Sequence, residues 1–262
     1  FARARRFSAS ATMLAPPATD LDHACGPADE RLDPRVVARV LNGVARLDAA
    51  VEGALTTDWR AAQGKPKETG AELLQRILAE RRVRWEQKQL AKFAEQGKAP
   101  SKDWQAKYPE PVAPEATGLP QLPDGWIWTT VDQLASVGTG VTPLRSNRNY
   151  FEGGDIPWTT SGALNDEVVS TPSAYVTQVA ASECRLDLYP AGTLLVAMYG
   201  EGRTRGKCAE LAFTSTINQA IAAISFEGSS LSMKPYVKTF FLDSYAASES
   251  RHLVASNRTS IF

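Results

Sequence analysis

The stretch "GTLLVAMYGEGRTRGKCAELAF" (residues 192–213) decides how the second half of this chain is to be read. "GTLLVAM" (192–198) is a short apolar run opened by glycine, and "AELAF" (209–213) is another. Both have the length and flanking turn residues of buried strands. Between them lie Gly200, Gly202 and Gly206, the cations Arg203, Arg205 and Lys207, and the acid Glu201. A glycine-rich turn after a strand is the usual cradle of a phosphate, so nucleotide binding is the first expectation to test. The spacing fails it. A Walker A loop needs G-x-x-x-x-G-K-[ST]; Gly206-Lys207 supplies the end, but Glu201 stands at the first glycine and Cys208 replaces the hydroxyl residue. The dinucleotide pattern G-x-G-x-x-G fails at Arg205, and a strand rather than a phosphate-binding helix follows the loop.

Working outward, the same texture of short strands broken by glycine and proline extends over residues 122–262. "WIWTTV" (126–131), "AYVTQVA" (174–180) and "QAIAAISF" (219–226) read as strand-like or mixed, "KPYVKTFFLDSYAA" (234–247) as a helix, and long glycine-bearing loops fall at 138–155 and 199–207. "GDIPWTT" (154–160) faintly resembles the D-P-P-Y tetrapeptide with which amino-methyltransferases hold a flipped base, but the first proline is missing and no glycine-rich cofactor loop precedes it. Trp158 is read as core and Pro157 as a strand-entry turn.

Upstream, six prolines between residues 97 and 123 mark an extended, semi-rigid linker over 99–121. Before it the sequence is helical. Asp33-Pro34 is a helix start, and Val37, Val40, Val44, Leu47, Val51 and Ala54 alternate three and four residues apart. That is one coiled-coil seam, which seeks a partner helix or serves as an amphipathic face on this chain's own core. Asp58 through Lys67 reads as a polar break. Thr69 and Glu72 form a capping box opening a helix to about Ala94, with Leu73, Leu74, Ile77, Leu78, Trp85 and Phe93 apolar and Arg76, Arg81, Arg82, Arg84, Lys88 and Lys92 opposite. The basic face reads as solvated, with a protein contact or the neighbourhood of DNA as alternatives. Residues 1–32, Arg/Ser/Ala-rich at first and opening on Phe, are expected to be disordered and receive no role, although the first 19 superficially fit a transit peptide. The division is therefore 33–98 helical spacer, 99–121 linker and 122–262 an α+β domain.

Composition limits the chemistry. The 29 Lys+Arg balance 29 Asp+Glu, so bulk charge does not announce a nucleic-acid binder, and no run of about 18 apolar residues predicts a membrane span. Three cysteines, widely spaced, argue for free thiols in a reducing compartment. His23 and His252 are the only histidines, and His23-x-Cys25 offers two metal ligands where zinc needs three or four. With no histidine partnered to a nucleophile and no clustered acids, the residues describe a binding module: no catalytic, cofactor or metal residues are assigned. The loops suggest its ligand. "GTGVTPLRSNRNY" (138–150) and "YGEGRTRGK" (199–207) mix Gly, Thr, Arg and Asn with a tyrosine at the edge. Arginine reads guanine and asparagine reads adenine in the major groove, while threonine and lysine hold phosphates. The candidate DNA-binding residues are Thr142, Arg145, Asn147 and Arg148 in the first loop and Tyr199, Arg203, Thr204, Arg205 and Lys207 in the second.

Residues 120–226 resemble the target recognition domain of the specificity subunit of type I restriction-modification systems. The matching pieces are "LPDGWIW" (122–128), "GTGVTP" (138–143), "YFEGGDIPWTTSG" (150–162), "YPAGTLLVAMYGEGRTRGK" (189–207) and "INQAIAAI" (217–224), in that family's order. "LDAAVEGALTTDWR" (47–60) looks like the end of its spacer helix and "ELLQRILAERRVRWE" (72–86) like the segment that follows, so the resemblance covers about residues 36–250. It implies a cytoplasmic, non-catalytic subunit that recognises one half of a split double-stranded DNA target. It would dock a methyltransferase subunit carrying S-adenosylmethionine, be joined by the restriction subunit, and pack its spacer helices as an antiparallel coiled coil. Full members resemble two recognition domains and two spacer helices, whereas one of each is read here. A truncated reading frame or a half-subunit, pairing with a second copy through the spacer helix, is therefore expected. A non-catalytic protein-interaction scaffold with a degenerate recognition domain is the alternative.

Overall fold

The computed structural model describes residues 45–46, 48–63, 66–115, 117–199 and 204–258, with side chains of the final helix described through residue 248. Most of the seam over 37–47, with His23 and Cys25, lies outside the described residues. Residues 48–51 are helical and stop at Gly53, whose φ of +77° is a left-handed conformation that glycine adopts without a side-chain clash. A 3-10 turn (Ala54–Thr56) leads directly into helix α1 (Thr57–Gln63). The polar break expected at 58–67 is thus mostly helix: Asp58 lies in the first turn of α1, where a negative charge complements the helix dipole, and Arg60 reaches back 2.6 Å to the Gly53 carbonyl.

Helix α2 (Gly70–Glu95) begins at the predicted capping box: Thr69 Oγ1 accepts from the Glu72 amide, and the Glu72 carboxylate accepts from the Thr69 amide at 2.7 Å. The Thr69 amide, with the Thr69 hydroxyl donating to the same carboxylate at 2.9 Å, holds the Glu72 carboxyl below its ordinary range. Ile77 is buried, with Leu73 and Leu74 partly so. The basic face of α2 is used inside the chain: Arg76 pairs with Glu68, Arg82 with Glu86 and Glu110, Arg84 with Glu80 and Glu227, and Arg81 donates to the Asp132 carbonyl. The proline-rich run folds back on α2 rather than standing extended. Trp104 stacks on Trp85 with centroids 5.9 Å apart, Tyr108 meets Trp85 edge-on at 5.4 Å, and Thr130 Oγ1 donates to the Val112 carbonyl at 2.6 Å.

Residues 126–130 form no strand, contrary to the reading of "WIWTTV". The chain turns at Gly125 (φ +83°), Trp126 packs edge-on against Tyr236, and Thr130 caps the short helix α3 (Val131–Leu134). Eight strands follow in two sheets. β1 (Ser136–Thr139), β2 (Ile156–Thr159), β3 (Val168–Val169) and β4 (Ala174–Val176) precede the short helix α4 (Gln178–Glu183), which Thr177 caps. β5 (Leu194–Ala197), β6 (Cys208–Leu211), β7 (Thr216–Ile217) and β8 (Ile221–Ser225) complete them, and helix α5 (Lys234–Arg258) ends the described chain. The larger sheet runs β1-β8-β5-β6-β3 and the smaller β4-β2-β7. The fold is α+β.

Alternation along the central strands sets two cores. Leu194, Val196 and Ile224 face Ile77, Val237 and Phe241 of α2 and α5, while Leu195, Ala197, Ile221 and Ala223 face Leu164, Val169, Leu211 and Ile217. Because both faces are covered, β5 and β8 read as continuous apolar runs instead of alternating ones. Trp158 is 1% exposed in a third cluster with Ile156, Val176 and Ala180, as its reading as core required. Pro157 lies inside β2, not at its entry, and its carbonyl accepts from Ser215 and Thr216 hydroxyls at 3.1 and 3.0 Å. The C-terminal helix runs eleven residues beyond the expected end at 247. Among the described residues, no helix is long and apolar enough to cross a membrane.

A candidate nucleic-acid interface at one end of the sheets

Strand register brings the two predicted loops together. Thr139 of β1 lies opposite Ala222, and Ala197 of β5 lies opposite Ile221, so β1 and β5 flank β8 and both end beside its start. With neighbouring strands about 4.8 Å apart, the loops that leave β1 and β5 are rooted roughly 10 Å from one another. β2 runs parallel to β7, with Thr159 opposite Ile217, so the segment after β2 emerges at the same end. The turn 218–220 stands among them: Asn218 N donates to the Thr159 carbonyl at 3.0 Å and Met198 N to the Ala220 carbonyl at 2.8 Å.

The first loop is tied down at several points. Val141 N donates to the Ile217 carbonyl at 3.1 Å, and a Cβ on Gly140 would overlap that same carbonyl, so only glycine admits the approach. Thr142 Oγ1 donates to Gln219, and Trp158 Nε1 donates to the Val141 carbonyl at 3.2 Å. Arg145 lays its guanidinium over the Trp158 ring, 4.7 Å from the centroid, and 5.3 Å from that of Phe151. Asn147 caps the 3-10 turn Arg148–Tyr150 by accepting from the Asn149 amide at 3.2 Å, and the exposed Arg148 pairs with Glu152. The structure therefore gathers Thr142 and Arg145 at the sheet end, while Asn147 and Arg148 serve the turn behind them.

In the second loop Arg203 lies outside the described residues. Gly206 N donates to the Ala197 carbonyl and Ala197 N to the Lys207 carbonyl, both at 2.9 Å, so the hairpin pairing continues past β5. Gly206 has φ +89°, and a Cβ there would face the Tyr245 ring of α5 at 3.5 Å. Thr204 is half-buried and Lys207 Nζ donates to Asn165 Oδ1 at 3.0 Å. Tyr199 and Arg205 are exposed and make no side-chain hydrogen bond among the described residues. The acid Glu167 of the segment after β2 turns away to Lys238 of α5 at 3.4 Å.

Sequence reasoning missed Gln219 and Asn165, which join the loops. Gln219 sits in "INQAIAAI" (217–224), but an amide inside an apolar run gives no sign of its partner in Thr142, 77 residues away. The thiol behind the loops, Cys208, is pushed up to about 12 by burial and stays protonated. What the end of the sheets offers is exposed donors on a fixed frame: a surface suited to binding a polyanion.

The described residues form an α+β fold in which two glycine-bearing loops leave the sheets at the same end. No protein-family model matches the sequence. Over 96 residues the chain is 31% identical to the type I restriction enzyme MjaIX specificity subunit of Methanocaldococcus jannaschii, a match covering 36% of this chain and 21% of that one. The chain is thus related to a type I restriction specificity subunit, in accord with the motif resemblance, and spans about a fifth of that relative's length. Among solved structures, the HsdS subunit from Thermoanaerobacter tengcongensis aligns over 85% of this chain and 48% of its own, at 17% identity and a TM-score of 0.34. A structure described as showing complex assembly and conformational transition of the type I R-M system aligns over 84% and 54%, at 16% identity and a TM-score of 0.33.

Proposed function

We propose that the chain gives DNA sequence specificity to a type I restriction-modification complex, reading one half of a bipartite target with the loop end of its sheets. The observation that carries this is the convergence of the loops after β1, β2 and β5 at one edge, where Thr142, Tyr199, Arg205 and Lys207 share a frame with Gln219 and Asn165. The named specificity-subunit relative supports it. On this reading the chain carries out no catalysis and holds no cofactor. S-adenosylmethionine belongs to the methyltransferase subunit it docks, the restriction subunit joins that assembly in the cytoplasm, and the helix preceding Gly53 pairs with α5 or with a second copy.

Two substitutions separate reading a base from holding a phosphate. Arg205→Ala is expected to lower affinity for the target by about 1–3 kcal/mol and to relax one base position. Lys207→Ala is expected to weaken binding to all sequences alike and to reduce the slope of log affinity against log salt by about 1. Electrophoretic or anisotropy titrations from 50 to 200 mM salt read both (concentrations on the order used for such slopes). Unchanged affinity, preference and slope in both variants would remove the loop end as the DNA surface.

A further inference from the structure

Leu144 stands out at the tip of the first loop. Its side chain is 66% exposed, with Val141 at 41% and Tyr199 at 47% on the same end of the sheets. Single exposed leucines are ordinary on protein surfaces, so exposure alone says little. What distinguishes this one is its mounting. The residue before it, Pro143, is buried, and the residue two before, Thr142, is tied to Gln219. The residue after it, Arg145, is held against Trp158 and Phe151, and Asn147 N closes the turn on the Leu144 carbonyl at 3.0 Å. The Arg145 guanidinium, on a residue that is itself exposed, braces the turn against the two rings, and the side chain held between it and the Thr142 tie is apolar.

A fixed apolar group on a surface that meets DNA gains only where it finds an apolar partner. On the floor of the major groove the one methyl group of unmodified DNA is that of thymine. Because the turn is already ordered, little conformational freedom is lost when it docks. We infer that Leu144 packs against the C5-methyl group of a thymine in the recognised half-site, with Arg145 acting as the positioning residue. The inference rests on the DNA-reading role proposed above and adds a specificity contact to it.

A double-mutant cycle tests it, using the complex of this chain with its methyltransferase subunit and a duplex carrying the target found by mapping methylated sites. Each thymine of the half-site is replaced in turn by deoxyuridine, which lacks only the methyl. One position is expected to lower wild-type affinity about fourfold, the worth of one buried methyl group. In Leu144→Ala, affinity for the thymine duplex is expected to fall severalfold and that uracil effect to vanish. Leu144 is exposed, so the variant is expected to keep the wild-type melting temperature. If uracil at every position acts equally on wild type and variant, or no thymine matters, the leucine contact is overturned while sequence-dependent binding of the wild type leaves the DNA reading standing. A wild type that binds without sequence preference overturns both.

Discussion

Trp158→Ala is expected to lower the free energy of unfolding by about 3–5 kcal/mol, the range for removing a buried aromatic side chain from a core that cannot collapse around the space. Trp158 is 1% exposed and packed among Ile156, Val176 and Ala180, with Phe151 edge-on at 6.2 Å. A second effect separates this tryptophan from other core residues. Its indole N–H holds the Val141 carbonyl, and its ring is the seat of Arg145, so the first loop loses two of its anchors at once. Thermal unfolding is expected roughly 10 °C lower, at about 2–4 °C per kcal/mol for a chain of this size. Trp158→Phe would keep most of the volume and lose the Val141 bond, which separates packing from loop anchoring. A melting temperature within about 2 °C of wild type for Trp158→Ala would contradict the assigned core.

Asp243→Asn is expected to stabilise the protein at pH 7.5. Asp243, on α5, is 8% exposed, and its Oδ1 has no hydrogen-bond partner among the described residues. Burial, then the charge of Asp48 on the helix ahead of Gly53 and a hydrogen bond with that carboxylate, then the charge of Glu52 in the following turn, push its carboxyl from 3.8 up to about 6. The Tyr236 hydroxyl, donating to the Val51 carbonyl at 3.0 Å, holds the two helices together in an antiparallel sense, since 51 meets 236 and 48 meets 243. A folded-state pKa above the unfolded one means that the fold binds the proton. The contribution is therefore complete below about 3.8 and is lost as pH rises through about 6. Above that the ionised carboxylate opposes docking by about 2 kcal/mol, once solvent screening at the seam is allowed for. Glu72 and Glu80, both held low by hydrogen bonds from Thr69 and Ser229, lose their contributions at the acid end and leave the interval from about pH 5 to 7.5 to Asp243. Urea titrations across that interval should show wild type losing stability relative to Asp243→Asn by about 1 kcal/mol, since part of the linkage lies below pH 5. A constant difference between the two proteins would contradict the buried acid.

The larger part of the fold was legible where one element's residues were enough to specify it. The Thr69–Glu72 capping box, the apolar runs of β5, β6 and β8, and Trp158 as core are local signals and appear as read. Failures fall where a distant partner decides. "WIWTTV" has strand composition but finds no neighbouring strand, because Trp126 and Trp128 are engaged by Tyr236 and the Pro120 carbonyl. The prolines of 99–121 suggested an extended linker, yet Trp104 and Tyr108 supplied the apolar faces that fold it onto α2. β3 and β7, two residues each, carry no periodicity to read. The candidate site divided in the same way: residue types located the two loops, but only strand register brought them to one end, and only side-chain contacts showed Arg145 seated on a ring and Arg148 paired with Glu152.

The central claim is that this chain chooses a DNA sequence for a methyltransferase that does not choose it alone. Genome-wide mapping of methylated bases after co-expression with the cognate methyltransferase subunit, with and without this chain, tests it most directly. The account predicts a methylated bipartite motif present only with the chain: palindromic if two copies pair through their helices, asymmetric if a second recognition domain completes the subunit. Arg205→Ala should broaden one position of that motif. Methylation that is absent, or whose sequence is the same without this chain, would contradict the account.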